Sequence, residues 1–518
     1  MKKMVIVPAL LLGLLFNSCE DDIINLDPYN SVSEETAFTT PSLIELTVMG
    51  MYQAAQRGDY NENWRGYPFG AAFVQQGDNR GEDVVNIYTF YRLTYTNTYN
   101  TTTANNVWYW SDSYRLINRC NIVIEGVGKA AEEGIITEEV AGEYEAEARM
   151  MRAMAHHELL VHFARPYEHT SDASHPGVPY REIAYTSPSA VEEGIAQGRN
   201  TVAECYSKIL ADLDFAEANL PTKAERSGNF KIVRLNKEAA IAWKTRIYLH
   251  MWNMDKVIEE GEKLKSIEVY QLTSEPSEPF TSNYSNSESI FSMENTATNN
   301  PGVNAALASQ YKRRLLVCIS PIIWKNPYWL ADDKRRDETT MVYDYQGVKF
   351  TWKYKDEVSY TDASPVIRYA EIILNLAEAY ARRNNSGDFD KALVYLNMVR
   401  NRALADPAEQ AYTPDTFMDN VDLLEAILAE RRIEFVMEGR RWPDIHRLQQ
   451  CPYLPVNGIP AKLANASPSA ESFELGTPYN GPYGVDAIPY DDYRFLWPIP
   501  QVEVDANPTL ADQQNPGW

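Results

Sequence analysis

The segment HHELLVH, residues 156–162, has most of the letters of a zinc-binding catalytic motif. In the motif H-E-x-x-H, two histidines four residues apart lie on one helix face and bind the metal, while the glutamate acts as general base. Here His157 and His162 are five residues apart, which separates them by about 140° around a helix that turns by about 100° per residue. We therefore predict no metal site and no catalytic role for this segment.

Two further segments contain letters or residue types suited to nucleotide binding or hydrolysis. The sequence GVGKAA at 126–131 follows a helical pattern and not a strand, so we predict a helix C-terminus at Gly126 instead of a dinucleotide loop. Glu430, Glu434 and Glu438 share one side of a predicted helix, but the arginines between them favour ion pairs over glycosidase acids. No G-x-S-x-G elbow or phosphate loop occurs, so we predict that the protein is not an enzyme and uses no cofactor.

Residues suited to ligand recognition lie in loops rich in aromatic and amide side chains. The chain holds 33 tyrosines and 11 tryptophans. Sugars present apolar C–H faces and rings of hydroxyls, which aromatic planes and amides or carboxylates complement. In the first loop region the residues Tyr91, Leu93, Tyr95, Asn97 and Tyr99 alternate, which predicts one face of a strand.

We predict two clusters of ligand-binding residues in these loops. Packing of the aromatic residues in a tyrosine-rich core, and a solvated turn for the polar ones, are the alternatives for each position. The first cluster comprises Asp78, Asn79, Arg80, Tyr88, Tyr95, Tyr99 and Trp108, and the second comprises Trp324, Tyr328 and Trp329.

The charge of the chain excludes some classes of partner. It has 72 acidic against 48 basic residues in 518, a formal net charge of -24. Phosphate binding depends on clustered Lys and Arg, so nucleic acid is not an expected partner. Strongly anionic polysaccharides are disfavoured for the same reason, with the basic clusters at 312–314 and 334–336 as local exceptions.

The four cysteines after residue 100 form no CxxC pair, which argues against a zinc site or a thioredoxin-type motif. We expect buried free thiols, although an exported chain can also form a disulfide, which spacing alone does not assign. These cysteines are Cys120, Cys205, Cys318 and Cys451.

A mainly helical frame must position these loops. Residues 201–221 begin with Thr201 and Glu204 as a capping box and repeat apolar residues at helical spacing. Segments 236–252 and 255–267 predict one helix pair, and 364–383 and 388–403 predict another. Repeated pairs of this size are typical of tetratricopeptide-like solenoids. The loop-rich stretches near 58–106, 274–363 and 451–518 are then insertions on this frame, with a short strand at 288–293.

The N-terminus has the features of an export signal. Lys2 and Lys3 precede an almost wholly apolar run at 4–16, which is shorter than the roughly 20 residues that a membrane-spanning helix needs. We therefore predict that residues 1–18 are a signal peptide. Cys19 follows this run directly and is followed by three acids. The segment resembles a bacterial lipobox, which implies lipidation of Cys19; an ordinary secretory leader is the alternative.

Five ordered stretches resemble the SusD/RagB family of nutrient-binding outer-membrane lipoproteins. Two occur early, LDPYNSVSEETAFTTPSLIELTVMGMYQA at 26–54 and WSDSYRLINRCNIVIE at 110–125. The third is EAEARMMRAMAHHELLVHFARP at 145–166, and the fourth combines VIRYAEIILNLAEAYAR and LNMVRNRA with ERRIEFVMEGRRWPDIHRL at 430–448. The last is LWPIPQVEVDANPTLADQQNPGW at 496–518. The chain departs from the family in ending at Trp518 and in carrying His156 and His157 where aromatics are usual.

The resemblance implies a single domain over 19–518, with four tetratricopeptide-like helix pairs and an irregular ligand-binding subdomain. It also implies a lipid anchor at Cys19, a position on the cell surface at the outer membrane, and delivery of captured oligosaccharide to a SusC-like TonB-dependent transporter. A RagB-like peptide receptor is the alternative function, and a surface hydrolase ranks third. The sequence does not identify the glycan, its linkage or its length.

Overall fold

The computed structural model describes residues 36–59 and 64–518. The predicted signal peptide and Cys19 lie outside these residues. The described chain is mainly helical, with six short strands, which confirms the predicted fold class. Within the described part of the chain, no helix is both long and apolar enough to span a membrane.

Helices make up most of the secondary structure. The longer ones, in chain order, are α1 Pro41–Arg57, α2 Ala71–Asn79, α3 Ala104–Glu132, α4 Glu138–Phe163, α5 Pro188–Ala196, α6 Val202–Asn219, α7 Lys237–His250, α8 Met254–Ser266, α9 Tyr369–Arg383, α10 Asp388–Asn401, α11 Asn420–Glu434, α12 Arg441–Arg447 and α13 Gln501–Ala506. Single helical turns occupy Arg92–Tyr95, Phe230–Val233, Glu278–Thr281, Gly302–Ala305, Pro321–Trp324, Pro407–Gln410 and Pro508–Ala511.

Successive long helices pack against one another and form one continuous frame. Helix α3 packs on α4, α4 on α6, α6 on α7, α7 on α8, α8 on α9, and α9 on both α10 and α11. The two predicted helix pairs occur as α7 with α8 and α9 with α10. One large apolar cluster runs through this frame and into the loops that cover it. The number of four tetratricopeptide-like pairs stays a prediction.

The structure tests two helix ends that the sequence predicted. The Thr201 hydroxyl accepts a hydrogen bond from the Glu204 amide at 3.1 Å, and the Glu204 carboxylate accepts one from the Thr201 amide at 3.0 Å, so the predicted capping box is confirmed. The predicted helix end at Gly126 is wrong, because α3 continues to Glu132. Gly126 instead allows a close approach, since an added Cβ would overlap the ring of Phe38.

Three two-stranded antiparallel sheets lie among the loops. Strand β1 (Val84–Asn86) pairs with β3 (Val317–Ile319), β2 (Ser289–Met293) with β6 (Ser364–Arg368), and β4 (Val342–Tyr345) with β5 (Val348–Thr351). The strand predicted at 288–293 is therefore confirmed as β2. The predicted helix at 364–383 begins only at Tyr369, because its first five residues pair with β2.

The strand predicted across residues 91–99 is wrong. Tyr91 adopts a left-handed backbone with φ of 58°, and Arg92–Tyr95 forms a helical turn. Alternation over so few residues did not outweigh the tertiary contacts of this loop. The four cysteines after residue 100 are buried and free, as predicted.

Candidate ligand-binding surface

The β1–β3 ladder joins the two loop regions in which the predicted ligand-binding clusters lie. Val85 pairs with Cys318 in this ladder, and the Ser320 amide donates to the Asp83 carbonyl at 2.9 Å. Residues 83–87 therefore lie beside residues 316–320, although more than two hundred residues separate them in sequence. What these two loop regions can bind depends on which of their side chains face solvent.

The polar residues of the first cluster are buried and already have partners. The Asp78 carboxylate accepts hydrogen bonds from the Tyr311 hydroxyl at 2.6 Å and the Gly439 amide at 2.8 Å. Burial raises the pKa of Asp78 to about 7. Asn79 donates to the Gln75 carbonyl at 2.7 Å within α2. The predicted exposed acidic loop is thus a buried helix, and these two side chains do not face solvent.

Arg80 is also buried, between aromatic rings. Its guanidinium lies 3.4 Å from the ring centroid of Trp442 and 4.8 Å from that of Trp497. It donates to the Phe495 carbonyl at 2.6 Å and contacts the His162 ring nitrogen Nδ1 at 3.0 Å. Burial lowers the pKa of Arg80 to about 10. Arg80 therefore joins α2 to the C-terminal segment and is not presented to a ligand.

Two of the predicted tyrosines have structural roles. Tyr95 is buried and donates its hydroxyl to the Leu463 carbonyl at 2.8 Å. Tyr99 donates to the Arg494 carbonyl and packs against Trp497 and Trp518, with ring centroids 6.3 Å and 5.9 Å apart. Both residues attach the first loop region to the C-terminal loops.

The second predicted cluster is mostly core. Trp324 is 4% exposed, and its indole nitrogen donates to the Phe473 carbonyl at 3.1 Å. Trp329 packs edge-on against Trp324 at 5.3 Å, and the Arg336 guanidinium lies 4.3 Å from each ring. Tyr328 is half-buried and accepts a hydrogen bond from Arg400 at its carbonyl. Packing, the alternative at these positions, is what the structure shows for both tryptophans.

Two predicted residues do reach the surface. Tyr88 is 54% exposed, and its carbonyl accepts a hydrogen bond from the Asn465 amide nitrogen at 3.0 Å. Trp108 is half-buried on the second turn of α3. The Arg115 guanidinium lies 5.2 Å from the Trp108 ring centroid. An aromatic surface open to a ligand is therefore expected around Trp108.

A second tryptophan, Trp64, and Trp108 both connect to residues 57–59 at the end of α1. Arg115 forms an ion pair with Asp59 at 3.0 Å, and the Arg57 guanidinium lies 3.5 Å from the Trp64 ring centroid. Trp64 is 43% exposed. We call these five residues, Arg57, Asp59, Trp64, Trp108 and Arg115, the tryptophan surface.

The sequence builds the tryptophan surface by a close approach of α1 to α3. Trp108 and Arg115 are seven residues apart and therefore lie on one face of α3, with Asp112 between them. Gly58 has a φ of +59° directly after α1, and an added Cβ would overlap the Asp112 carboxylate. Trp64 has a φ of 44°, which a bulky residue rarely adopts and which is common at binding sites.

Further polar loops border this surface. Gln56 donates to the Asn295 side chain at 2.7 Å and to the Asn299 carbonyl at 3.1 Å, which places the loop 295–304 beside the end of α1. The Arg65 and Arg314 guanidinium groups lie 4.6 Å and 5.7 Å from the Phe90 ring centroid. Amide and guanidinium groups therefore lie in the loops next to the end of α1 and next to Arg65.

A separate cavity of about 620 Å³ offers less to a ligand. It lies between residues 165–176 and the C-terminal residues 512–516. Its Arg199 is committed to structural hydrogen bonds with the carbonyls of Gly177 at 2.7 Å and Gln513 at 2.9 Å. Arg199 therefore holds the C-terminal segment in place. We take the tryptophan surface as the stronger candidate site.

Comparison with known proteins agrees with this architecture. A family model described as "SusD family" matches residues 323–518, and one described as "Starch-binding associating with outer membrane" matches residues 24–249. The two matches together cover most of the chain. The chain belongs to the SusD family.

Individual SusD-like relatives match over nearly the whole length. A SusD-like protein P2 from Formosa agariphila is 25% identical over 462 residues, covering 79% of this chain and 80% of the relative. A SusD-like protein from Bacteroides ovatus is 22% identical over 486 residues, covering 84% of this chain and 80% of the relative. The crystal structure of a SusD superfamily protein from Bacteroides fragilis has a TM-score of 0.75 at 28% identity, with 91% of this chain and 99% of that chain covered.

The glutamates that suggested a glycosidase have a structural role in this SusD family protein. Glu430 and Glu434 both accept from Arg335, at 2.5 Å and 2.9 Å, and Glu438 accepts from Arg368 at 2.8 Å. The predicted ion pairing is confirmed, although these partners come from distant segments and not from the interleaved arginines. Coulombic attraction from the surrounding arginines holds the pKa of Glu434 well below its usual range, against the desolvation that burial imposes.

The histidines of HHELLVH face different neighbours. His157 packs edge-on against His250 at 4.7 Å between ring centroids, whereas His162 stacks on Trp497 at 4.4 Å. Burial lowers the pKa of both far below the usual value. Within residues 36–59 and 64–518, no group of three or more His, Cys, Asp and Glu side chains is placed to hold a metal ion.

Sequence reasoning missed Trp64, which is an important residue of the tryptophan surface. Its signal was present, since Trp64 lies in an asparagine- and tyrosine-rich stretch within the predicted insertion at 58–106. The contact with Arg57 could not be read from spacing, because it depends on the turn after α1.

Proposed function

We propose that this protein is a cell-surface glycan-binding lipoprotein that captures oligosaccharide and delivers it to a SusC-like TonB-dependent outer-membrane transporter. The observation that supports binding is the tryptophan surface, where two partly exposed indole rings are flanked by guanidinium and carboxylate groups. Indole faces complement the C–H faces of sugar rings, and the charged groups complement their hydroxyls. The starch-binding description of the matching family model supports the same ligand class.

The proposal assigns a binding role and no catalysis. Glu430, Glu434 and Glu438 are buried and ion-paired, so they are not available to a polymer at the surface. A glycosidase needs two carboxyl groups on either side of an exposed scissile bond. Turnover of any polymer by the purified protein would therefore contradict this part of the proposal.

The delivery step follows from the predicted anchor. Two or more acyl chains on Cys19 would hold the protein at the outer membrane. A protein held only by lipid cannot itself move cargo across a bilayer, so a channel must receive the glycan. We infer that this channel is a SusC-like TonB-dependent transporter. The side of the protein that carries the tryptophan surface then faces either the transporter or the outside medium.

A glycan and peptide array tests the ligand class. The probe is soluble protein that lacks residues 1–19, with a Trp64→Ala, Trp108→Ala double variant as the matched control. We expect the soluble protein to bind a group of related oligosaccharides and the double variant to lose those signals. Binding to peptides alone would contradict the glycan proposal and favour a peptide receptor.

A further inference from the structure

Arg313 and Arg314 donate hydrogen bonds to neutral acceptors in the loops near the tryptophan surface. Arg314 donates to the Val303 carbonyl at 3.2 Å and to the Asn304 side-chain oxygen at 3.4 Å. Arg313 donates to the Glu357 carbonyl at 3.0 Å and to the Tyr360 hydroxyl. All four acceptors are neutral, and neither arginine forms an ion pair with a carboxylate in the part of the chain that the structure describes. Their neighbour Lys312 differs, because it pairs with the Glu357 carboxylate.

Acidic residues outnumber basic ones by 72 to 48 in this protein, so an anion would meet few such guanidinium groups. The other basic cluster, at 334–336, shows the usual arrangement. Arg335 is buried and pairs with Asp333 at 2.7 Å, and Arg336 donates to the Trp324 carbonyl at 2.6 Å. That cluster is structural. In the cluster at 334–336 the partly exposed cation, Lys334, pairs with Glu275 at 2.8 Å, whereas Arg313 and Arg314 donate to neutral acceptors.

The two arginines are interleaved with aromatic rings. Arg314 lies 5.7 Å from the centroid of Phe90, the ring that Arg65 also approaches at 4.6 Å. Arg65 directly follows Trp64 in the chain. Arg313 lies 5.8 Å from the centroid of Tyr360. A ligand that reaches Phe90 would therefore meet the Arg314 guanidinium, and the next arginine in the chain, Arg313, lies beside Tyr360.

We propose that the glycan bound at this surface is anionic, and that Arg313 and Arg314 bind its carboxylate or sulfate groups. This inference rests on the proposed glycan-binding function and adds the substrate class. The planar guanidinium forks match the geometry of such oxyanions and hold their charge at any physiological pH. The net negative charge of the whole chain does not prevent an anionic glycan from binding here. Salt screens the interaction between exposed charges that are more than about 8–10 Å apart. The proposal uses one of the two local exceptions, 312–314, to the expectation that strongly anionic polysaccharides are disfavoured.

Calorimetric titration with matched oligosaccharide pairs tests the proposal. The probes are hexasaccharides of galacturonate and of mannuronate with their carboxyl-reduced forms, and sulfated galactan hexasaccharides with their desulfated forms. The proteins are the soluble chain, Arg313→Gln, Arg314→Gln, and Arg383→Gln as a control. Arg383 is an ion-paired arginine on the helical frame, where it contacts Asp388 and Asp255, so its variant reports the effect of losing one positive charge away from the proposed site. The uronate and sulfate arms distinguish the two sources of negative charge.

We expect at least one anionic member to bind more tightly than its neutral form. Arg314→Gln should weaken that binding by about tenfold or more, the usual loss for a charge-assisted hydrogen bond, and added salt should weaken it too. Arg383→Gln should bind normally. Equal affinity for both members of every pair, or unchanged binding by both surface variants, would overturn the anionic class but leave the proposed function intact. Failure of all members, neutral ones included, would overturn both.

Discussion

The guanidinium of Arg57 lies 3.5 Å from the centroid of the Trp64 ring. This contact covers one face of an indole that is otherwise 43% exposed. A stacked cation holds the ring in one orientation before any ligand arrives, so less side-chain entropy is lost on binding. Together with the contact between Arg115 and Trp108, it gives the tryptophan surface two ordered aromatic rings.

The second predicted cluster should behave as core and not as a binding site. Trp324→Ala should lower the free energy of unfolding by about 3–5 kcal/mol, because a buried indole is lost and a cavity remains. Tyr88→Ala is the control, since an exposed side chain usually changes stability by less than about 0.5 kcal/mol. Urea unfolding measures both values. A Trp324→Ala protein of normal stability that no longer binds glycan would reverse this assignment.

Asp78 should make stability depend on pH. Burial raises the pKa of its carboxyl to about 7, whereas in the unfolded chain the pKa is about 3.9. Between these values the folded state holds a proton that the unfolded state has released, so this group lowers the free energy of unfolding as pH rises from about 4 to 7.

Asp78→Asn should remove this contribution while leaving an oxygen that can accept from Tyr311 or Gly439. Urea unfolding of both proteins at pH 5 and pH 8 measures the contribution of Asp78 to the pH dependence of stability. All other titrating groups contribute equally to the original protein and to the variant, so they cancel in the difference. The variant should gain stability relative to the original protein at the higher pH. An equal difference between the two proteins at both pH values would show that Asp78 has an ordinary pKa.

How far the sequence predicted the structure depended on whether the deciding contacts were local. The helix α6 was predictable because its capping residues, Thr201 and Glu204, are three residues apart. The burial of Asp78 and Arg80 was not, because their partners Gly439 and Phe495 lie more than 350 residues away. A polar stretch with distant partners looks the same as a solvated loop in a sequence.

The same distinction applies to the candidate site. The sequence located the right loop regions, and the β1–β3 ladder joins them. It could not separate the exposed Tyr88 and the half-buried Trp108 from the buried Trp324, since all three occur in similar aromatic stretches. Only the packing of the loops on one another decides which rings face solvent.

The predicted lipid anchor has a direct test. Cys19→Ser should leave the fold intact but release the protein from the outer membrane, because acyl chains dominate the membrane affinity of such a protein. Membrane fractionation in cells that lack the candidate channel gives the result, with the unaltered protein as control. A serine variant that still sediments with the membrane would show that Cys19 is not what holds it.

The proposed partner should remain bound through purification in mild detergent. We expect tagged full-length protein to recover a large TonB-dependent channel, identified by mass spectrometry. The Cys19→Ser variant tests whether this association needs the anchor. Repeated recovery of the lipoprotein alone, under conditions that keep other outer-membrane complexes intact, would count against delivery to a channel.

The most direct test of the account is calorimetric titration of soluble Trp64→Ala and Trp108→Ala with the best oligosaccharide from the array, beside a melting curve of each sample. Each variant should lose about 1.5–3 kcal/mol of binding free energy, because the exposed part of each ring is buried only when the ligand arrives. Their melting temperatures should stay close to that of the unaltered protein. Normal glycan affinity in both variants would contradict the claim that the tryptophan surface is the binding site.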